Sequence, residues 1–178
     1  MTLLAAICAR ICVSRSYPAS MHARILSAFI LLTALAVGPE LRAADNEVTG
    51  TFTGDGKAAK IAFVSTVKGT ELEDKPTVMI VFTEKDHSKD KRPDMGAMFG
   101  KYGSAIIITV FPDTGKIVGC EVAHDAHQKK PFSSLGSLEI ADYKNEAGQL
   151  SGRIATASPV ETFKQKWELN LTFKAKAP

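Results

Sequence analysis

From residue 45 onward, apolar and polar positions alternate in short runs broken by turn residues, and no stretch sustains a helical period. The last run is the clearest. Trp167, Leu169, Leu171 and Phe173 alternate with Glu168, Asn170, Thr172 and Lys174, which predicts a strand with one face in the core and the other in solvent. Val78–Thr83 and Ala105–Phe111 are apolar at successive positions and read as central strands covered on both faces. Ile61–Val67 is rich in β-branched residues and is also apolar on both faces. Val48–Thr53 places Val48, Gly50 and Phe52 on one face before Gly54-Asp55-Gly56 turns the chain. Pro112-Asp113-Thr114-Gly115 is a tight-turn sequence, with proline presetting φ and glycine supplying a positive one. It should join Ala105–Phe111 to Ile117–Ala123 as a hairpin. Residues 144–149 should join Leu138–Tyr143 to Leu150–Thr156 as a second hairpin.

Counting such runs gives about eight short strands at the spacing of a sandwich or barrel. One helix is expected, Pro93–Phe99, because proline suits a first helical turn and Gly100 can end it. Met95, Met98 and Phe99 would form its buried face. With no internal repeat or linker, the expected fold is all-β: a single antiparallel β-sandwich or barrel over residues 45–178, with one short helix.

Residues 1–44 follow a different rule. Within residues 21–44, a basic start at His22 and Arg24 precedes an apolar run from Ile25 to Val37, then Gly38-Pro39 and the small residues Ala43 and Ala44. That order is the secretory signal pattern, and the apolar run is shorter than the roughly 20 residues that span a bilayer. Residues 1–44 are therefore expected to be a leader containing a signal peptide, cleaved after Ala43 or Ala44, with Met21 as an alternative start. The mature chain would be secreted or periplasmic, with no transmembrane segment.

The leader changes what composition means. The whole chain has a formal net charge of +3. Arg10, Arg15, Arg24 and Arg42 oppose only Glu40 in residues 1–44, so the excess lies there. Residues 45–178 hold 16 Lys and 2 Arg against 9 Asp and 9 Glu, which is neutral and removes net charge as a basis for nucleic-acid binding. Cys8 and Cys12 also belong to the leader. Cys120 is then alone, so no internal disulfide holds the fold and the apolar core must.

Three segments, Phe52-Thr53-Gly54-Asp55-Gly56-Lys57, the run from Val81 to Asp90 (VFTEKDHSKD), and Trp167–Phe173 (WELNLTF), resemble those of small exported bacterial β-sandwich proteins with no assigned function. The resemblance implies export and a β fold. It brings no catalytic motif.

Candidate chemistry is sparse. Gly54-Asp55-Gly56-Lys57-Ala58-Ala59 fits the spacing of a dinucleotide-binding loop, but a β-branched run follows where that reading needs a helix. The glycines then read as a turn at positive φ. His124-Asp125-Ala126-His127 ends the strand that carries Val118, Cys120 and Val122, and alternation puts Cys120 and His124 on one face. With His127 turned back and His87 contributed from another loop, the three histidines form a candidate Zn or Cu site, with Asp125 or Cys120 as a further ligand. Glu84–Asp94 carries eight charges of balanced sign in eleven residues and reads as a solvated connection, since it lacks the order of a calcium loop. Cys120 reads as core filler, or as a nucleophile if His124 lowered its pKa. No Ser lies in a G-x-S-x-G elbow. Asn170-Leu171-Thr172 is a glycosylation sequon only in a eukaryotic secretory pathway.

The function these features favour is that of an exported, non-catalytic β domain with a binding or structural role in the cell envelope. Its partner would be an envelope protein met through Glu84–Asp94 or the Met95–Phe99 helix. The alternative is a metal-binding protein or metal-dependent enzyme using His124 and His127.

Overall fold

The computed structural model describes residues 46–178, and the expected leader, its cleavage site and the alternative start at Met21 lie outside the described residues. In chain order the elements are β1 (Glu47–Gly54), β2 (Lys57–Ala59), β3 (Phe63–Lys68), β4 (Val78–Thr83), α1 (Pro93–Met98), β5 (Ala105–Val110), β6 (Ile117–Ala123), β7 (Phe132–Ser133), β8 (Leu138–Glu146), β9 (Gln149–Thr156), β10 (Val160–Thr162) and β11 (Gln165–Lys176). The fold is mostly β, with two antiparallel sheets and one short helix. The first sheet runs β2-β1-β11-β9-β8 with β10 added to β11; the second runs β3-β4-β5-β6-β7. The strands beyond the expected eight are β2, β7 and β10, two or three residues each, too short to leave a period.

The two sheets bury their inner faces against each other in a sandwich-like arrangement. β11 supplies Trp167, Leu169, Leu171, Phe173 and Ala175 to that core, with every intervening residue facing outward. Phe52, Leu150 and Ile154 flank them, and Ile80, Phe82, Ile106, Ile108, Cys120 and Val122 answer from the second sheet. Each large apolar side chain removed from water here contributes about 1.5–3 kcal/mol. The core closes among residues 52–175, so residues 45–178 contain it whole.

The second sheet is covered on both sides. Val81, Ala105, Ile107 and Ala123 point away from the first sheet and pack with Ala97 and Tyr102 under α1. This explains the unbroken apolar runs of β4 and β5. β3 departs from that pattern: it is an edge strand, Val64 faces the core, and Phe63 is 37% exposed. The β5–β6 hairpin forms as the turn sequence predicts, with Gly115 at φ 70°. The β8–β9 hairpin is tighter than expected. Its turn is Ala147-Gly148, and a bulge at Asp142 lets β8 run on to Glu146.

α1 starts at Pro93 as expected, and of the expected buried face Met98 packs inward while Met95 and Phe99 do not. Pro93, Asp94 and Ala97 are inside, whereas Met95 is 41% and Phe99 80% exposed. Small residues allow this seating. A Cβ on Gly96 would lie 2.5 Å from the Tyr102 ring, so the helix approaches the sheet through Gly96 and Ala97. Asp94 is buried because Arg92 grips it at both oxygens, Nε at 3.1 Å and Nη2 at 2.8 Å.

Candidate functional site

β6 delivers its residues alternately to the two faces, and the chain keeps that alternation one step past the strand. Ala123 lies under α1, so His124 enters the inner face beyond Cys120 and Val122. A tight turn follows, in which the His127 N–H donates to the His124 carbonyl at 2.9 Å. The two imidazoles are brought together with ring centroids 5.2 Å apart. Phe52 meets His124 edge-on at 4.9 Å, and Phe132 lies 5.4 Å from His127. Both histidines are buried.

Gly54 makes room for this. A Cβ there would fall 2.4 Å from His124 Cγ, so the ring occupies the space a side chain would need. The turn beyond it is made by Asp55 (φ 46°) and Gly56 (φ 76°). Only the second glycine thus serves the backbone conformation expected of both. The β2 strand follows the turn, leaving no helix to face a pyrophosphate.

Hydrogen bonds fix the ring tautomers. The Ala126 N–H donates to His124 Nδ1 at 3.0 Å, so that nitrogen is a lone pair and the neutral ring carries its proton on Nε2. His127 Nε2 faces the Lys166 carbonyl at 3.0 Å. A carbonyl only accepts, so the proton is on Nε2 and Nδ1 is the lone pair. The two nitrogens left without a hydrogen-bond partner among the described residues are His124 Nε2 and His127 Nδ1: one donor and one acceptor. Trp167 Nε1 is a third unpartnered buried atom, on the residue paired with Gly54. Burial holds the His124 pKa below the ordinary histidine value, with His127 adding to the effect and Glu84, Asp125 and Asp55 opposing it.

A metal ion needs lone pairs, and as bonded here the pair offers one, on His127. Ligation through His124 Nε2 would move its proton to Nδ1, donor against the Ala126 N–H donor. Among the described residues, no group of three or more His, Cys, Asp or Glu is placed to hold a metal ion.

His87 is not brought to this pair. Thr83 and Ser65 project from the outer face of the second sheet, and His87 bonds to both, Nδ1 to Thr83 Oγ1 at 2.5 Å and Nε2 to Ser65 Oγ at 2.8 Å. The Thr83 hydroxyl itself donates to the Lys85 carbonyl at 2.8 Å, so it accepts from His87 Nδ1–H and the Ser65 hydroxyl donates to Nε2. Both ring nitrogens are engaged. Burial again lowers the pKa. The sheet itself separates His87 from His124.

Cys120 shares the inner face with His124 but packs in the core opposite Ile108. Burial, with Glu121 adding a smaller effect, pushes its thiol up to about 12. Buried among apolar side chains, it is held as the thiol at neutral pH. Asp125, exposed, pairs with Lys130 at 2.5 Å.

The Glu84–Asp94 stretch is less solvated than its charge suggests. Glu84 accepts the Lys60 N–H at 3.0 Å and the Ser104 N–H at 2.7 Å. Asp86 caps the Ser88 N–H at 2.8 Å. Asp90 accepts from Lys101 Nζ at 2.7 Å, from the Tyr102 hydroxyl and from the Arg92 N–H at 3.1 Å. Those donors, Lys101 first, hold its carboxyl well below the usual carboxylate range. A surface depression of about 450 Å³ lies between Asp86, His87, Lys89, Asp90, Lys101 and Tyr102. The space Gly54 leaves for the His124 ring and the bonds of Thr83 and Ser65 to His87 have no signature in sequence, since each depends on a partner distant along the chain.

Comparison with known proteins finds no family model, no curated protein and no solved structure that matches the chain.

Proposed function

We propose that this chain is an exported β-sandwich protein without catalytic activity of its own, which binds or supports a partner in the cell envelope. The observation that supports this reading is that the side chains most suited to chemistry are engaged in holding the fold. Cys120 is a core thiol with its pKa at about 12. His87 has both nitrogens bonded to neighbouring hydroxyls, Asp94 is gripped by Arg92 of its own loop, and Asp90 is gripped by Lys101 beyond α1.

What faces outward instead is recognition surface. Met95 and Phe99, four residues apart on α1 and its cap, stand in solvent beside Arg92 and Lys101. That is the apolar, cation-flanked edge an envelope partner could cover. Export itself rests on the leader pattern of residues 21–44.

Expression of the full chain in a bacterial host tests the proposal. It predicts a product beginning at Ala44 or Asp45 outside the cytoplasm, and a native complex larger than one chain that is lost on Phe99→Ser. Retention of the leader in the cytoplasm, or turnover of a small substrate that disappears with His124→Ala, would overturn it.

The rival reading, Zn or Cu on His124 and His127, draws on the two unpartnered ring nitrogens. It requires His124 to release the Ala126 N–H. Elemental analysis of chelator-free protein decides between them: about one metal per chain, lost in the His124→Ala/His127→Ala double variant, favours the metal.

A further inference from the structure

The β10–β11 hairpin turns through Phe163 and Lys164, both at positive φ, 53° and 65°. Turns of this hand are ordinarily built from Asn-Gly or Asp-Gly, because a Cβ at positive φ crowds the following carbonyl. The β1–β2 turn obeys that rule with Asp55-Gly56, and the β8–β9 turn places glycine second, as Ala147-Gly148. Phe163-Lys164 has no glycine, and burial does not compensate. Phe163 is 65% exposed, with the edge of Phe132 beside it, ring centroids 6.2 Å apart. A strained turn that holds an aromatic ring in water points to something outside the chain.

Its surroundings indicate the chemistry. Ser134 and Thr162 meet hydroxyl to hydroxyl at 3.1 Å, which ties together the two turns that carry Leu135 and Phe163. Leu135 is 62% exposed. Lys129 is clamped to Gln165 in both directions, N–H to Oε1 at 2.6 Å and carbonyl to Nε2 at 2.8 Å, and its Nζ lies 6.0 Å from the Phe163 ring centroid. Two acids nearby are engaged, Asp125 with Lys130 and Asp55 with the Lys166 N–H, while Glu161 is exposed opposite Lys166 in the ladder. Among the described residues, Lys129 and Lys164 form no ion pair.

We infer that this end of the molecule docks on an anionic lipid surface, with Phe163 and Leu135 entering the interface and Lys129 and Lys164 meeting phosphate headgroups. Two apolar side chains on the tips of separate turns suit a yielding surface, which needs no preformed pocket. Lysine stems reach headgroup level without burying their charge. This surface is separate from the α1 edge and does not depend on the function proposed for it.

The test is flotation of residues 45–178, which hold the whole core, with vesicles of phosphatidylcholine alone and of phosphatidylcholine mixed with phosphatidylglycerol. The protein should float with the mixed vesicles only, and less as salt rises. Phe163→Asn should reduce partitioning at least about tenfold, and Lys129→Gln or Lys164→Gln by about fivefold each. Asparagine tolerates positive φ, so the Phe163→Asn urea midpoint should hold or rise, which separates docking from folding. The inference is overturned by no flotation with anionic vesicles at low salt, or by equal flotation of Phe163→Asn. Binding to soluble polyglutamate as tight as to vesicles would also overturn it, by marking an acidic polypeptide as the partner.

Discussion

Gly54→Ala puts a methyl carbon where the His124 ring now lies. The carbon would be 2.4 Å from Cγ, 2.5 Å from Nδ1 and 2.8 Å from Cδ2, against about 3.5 Å for ordinary carbon contacts. The ring must therefore retreat by about 1 Å. It has nowhere free to go: Phe52 stands edge-on at 4.9 Å, His127 at 5.2 Å, and the Ala126 N–H is bonded to Nδ1 at 3.0 Å. Overpacking costs about 1–3 kcal/mol, and pulling the ring from the Ala126 N–H adds about 1 kcal/mol. The expected loss of stability is about 2–4 kcal/mol, read from urea titrations followed by the fluorescence of Trp167, the single tryptophan. The same change made in a His124→Ala background no longer meets the ring, so its cost should fall below about 1 kcal/mol and leave a clear coupling energy. Equal costs in the two backgrounds, or a wild-type cost within the ±0.5 kcal/mol or so of an ordinary surface change, would refute the packing argument.

Stability should also depend on pH. His87 and His124 both have folded pKa values below the ordinary histidine value because burial disfavours the charged ring. The unfolded chain therefore binds more protons in this range, so their contribution is full above about pH 6.5 and is lost as pH falls below it. The urea midpoint should drop between neutral and mildly acid pH, with a shallower slope in His87→Gln. Cys120 should be unreactive toward a thiol reagent in native protein at mildly alkaline pH and react at once in urea; native-state labelling at the rate of a free thiol would contradict its place in the core. Replacing Phe163-Lys164 by Asn-Gly should raise stability by about 1–3 kcal/mol, since positive φ costs about 1–2 kcal/mol at each ordinary residue. An unchanged or lower urea midpoint would show the turn to be unstrained.

What sequence could show here is whatever repeats along the chain. β11 was legible because its alternation runs for twelve residues, and β4 and β5 because a doubly covered strand is apolar at every step. The β5–β6 turn was legible because proline and glycine state their backbone preferences directly. The failures share a cause as well. α1 has six residues, too few for a period to choose a face, and its seating was decided by the Gly96–Tyr102 approach. The bulge at Asp142 and the Phe163-Lys164 turn put ordinary residues at positive φ, where composition gives no warning. For the histidines, alternation correctly gave His124 its face, and one turn returned His127 to it. His87 could not be assigned that way. Its position follows from Ser65 and Thr83, on strands whose pairing no local pattern reveals.

Nitrogen NMR of the imidazoles at neutral pH, with and without one equivalent of zinc, examines the histidine pair itself. If the rings serve the fold, His124 should be neutral with the proton on Nε2, His127 should carry a proton on Nε2, His87 should be neutral with its proton on Nδ1, and none should move when zinc is added. A proton on His124 Nδ1, or a stoichiometric zinc-dependent shift at His124 Nε2 and His127 Nδ1, would contradict the hydrogen bonding described and return the pair to metal chemistry.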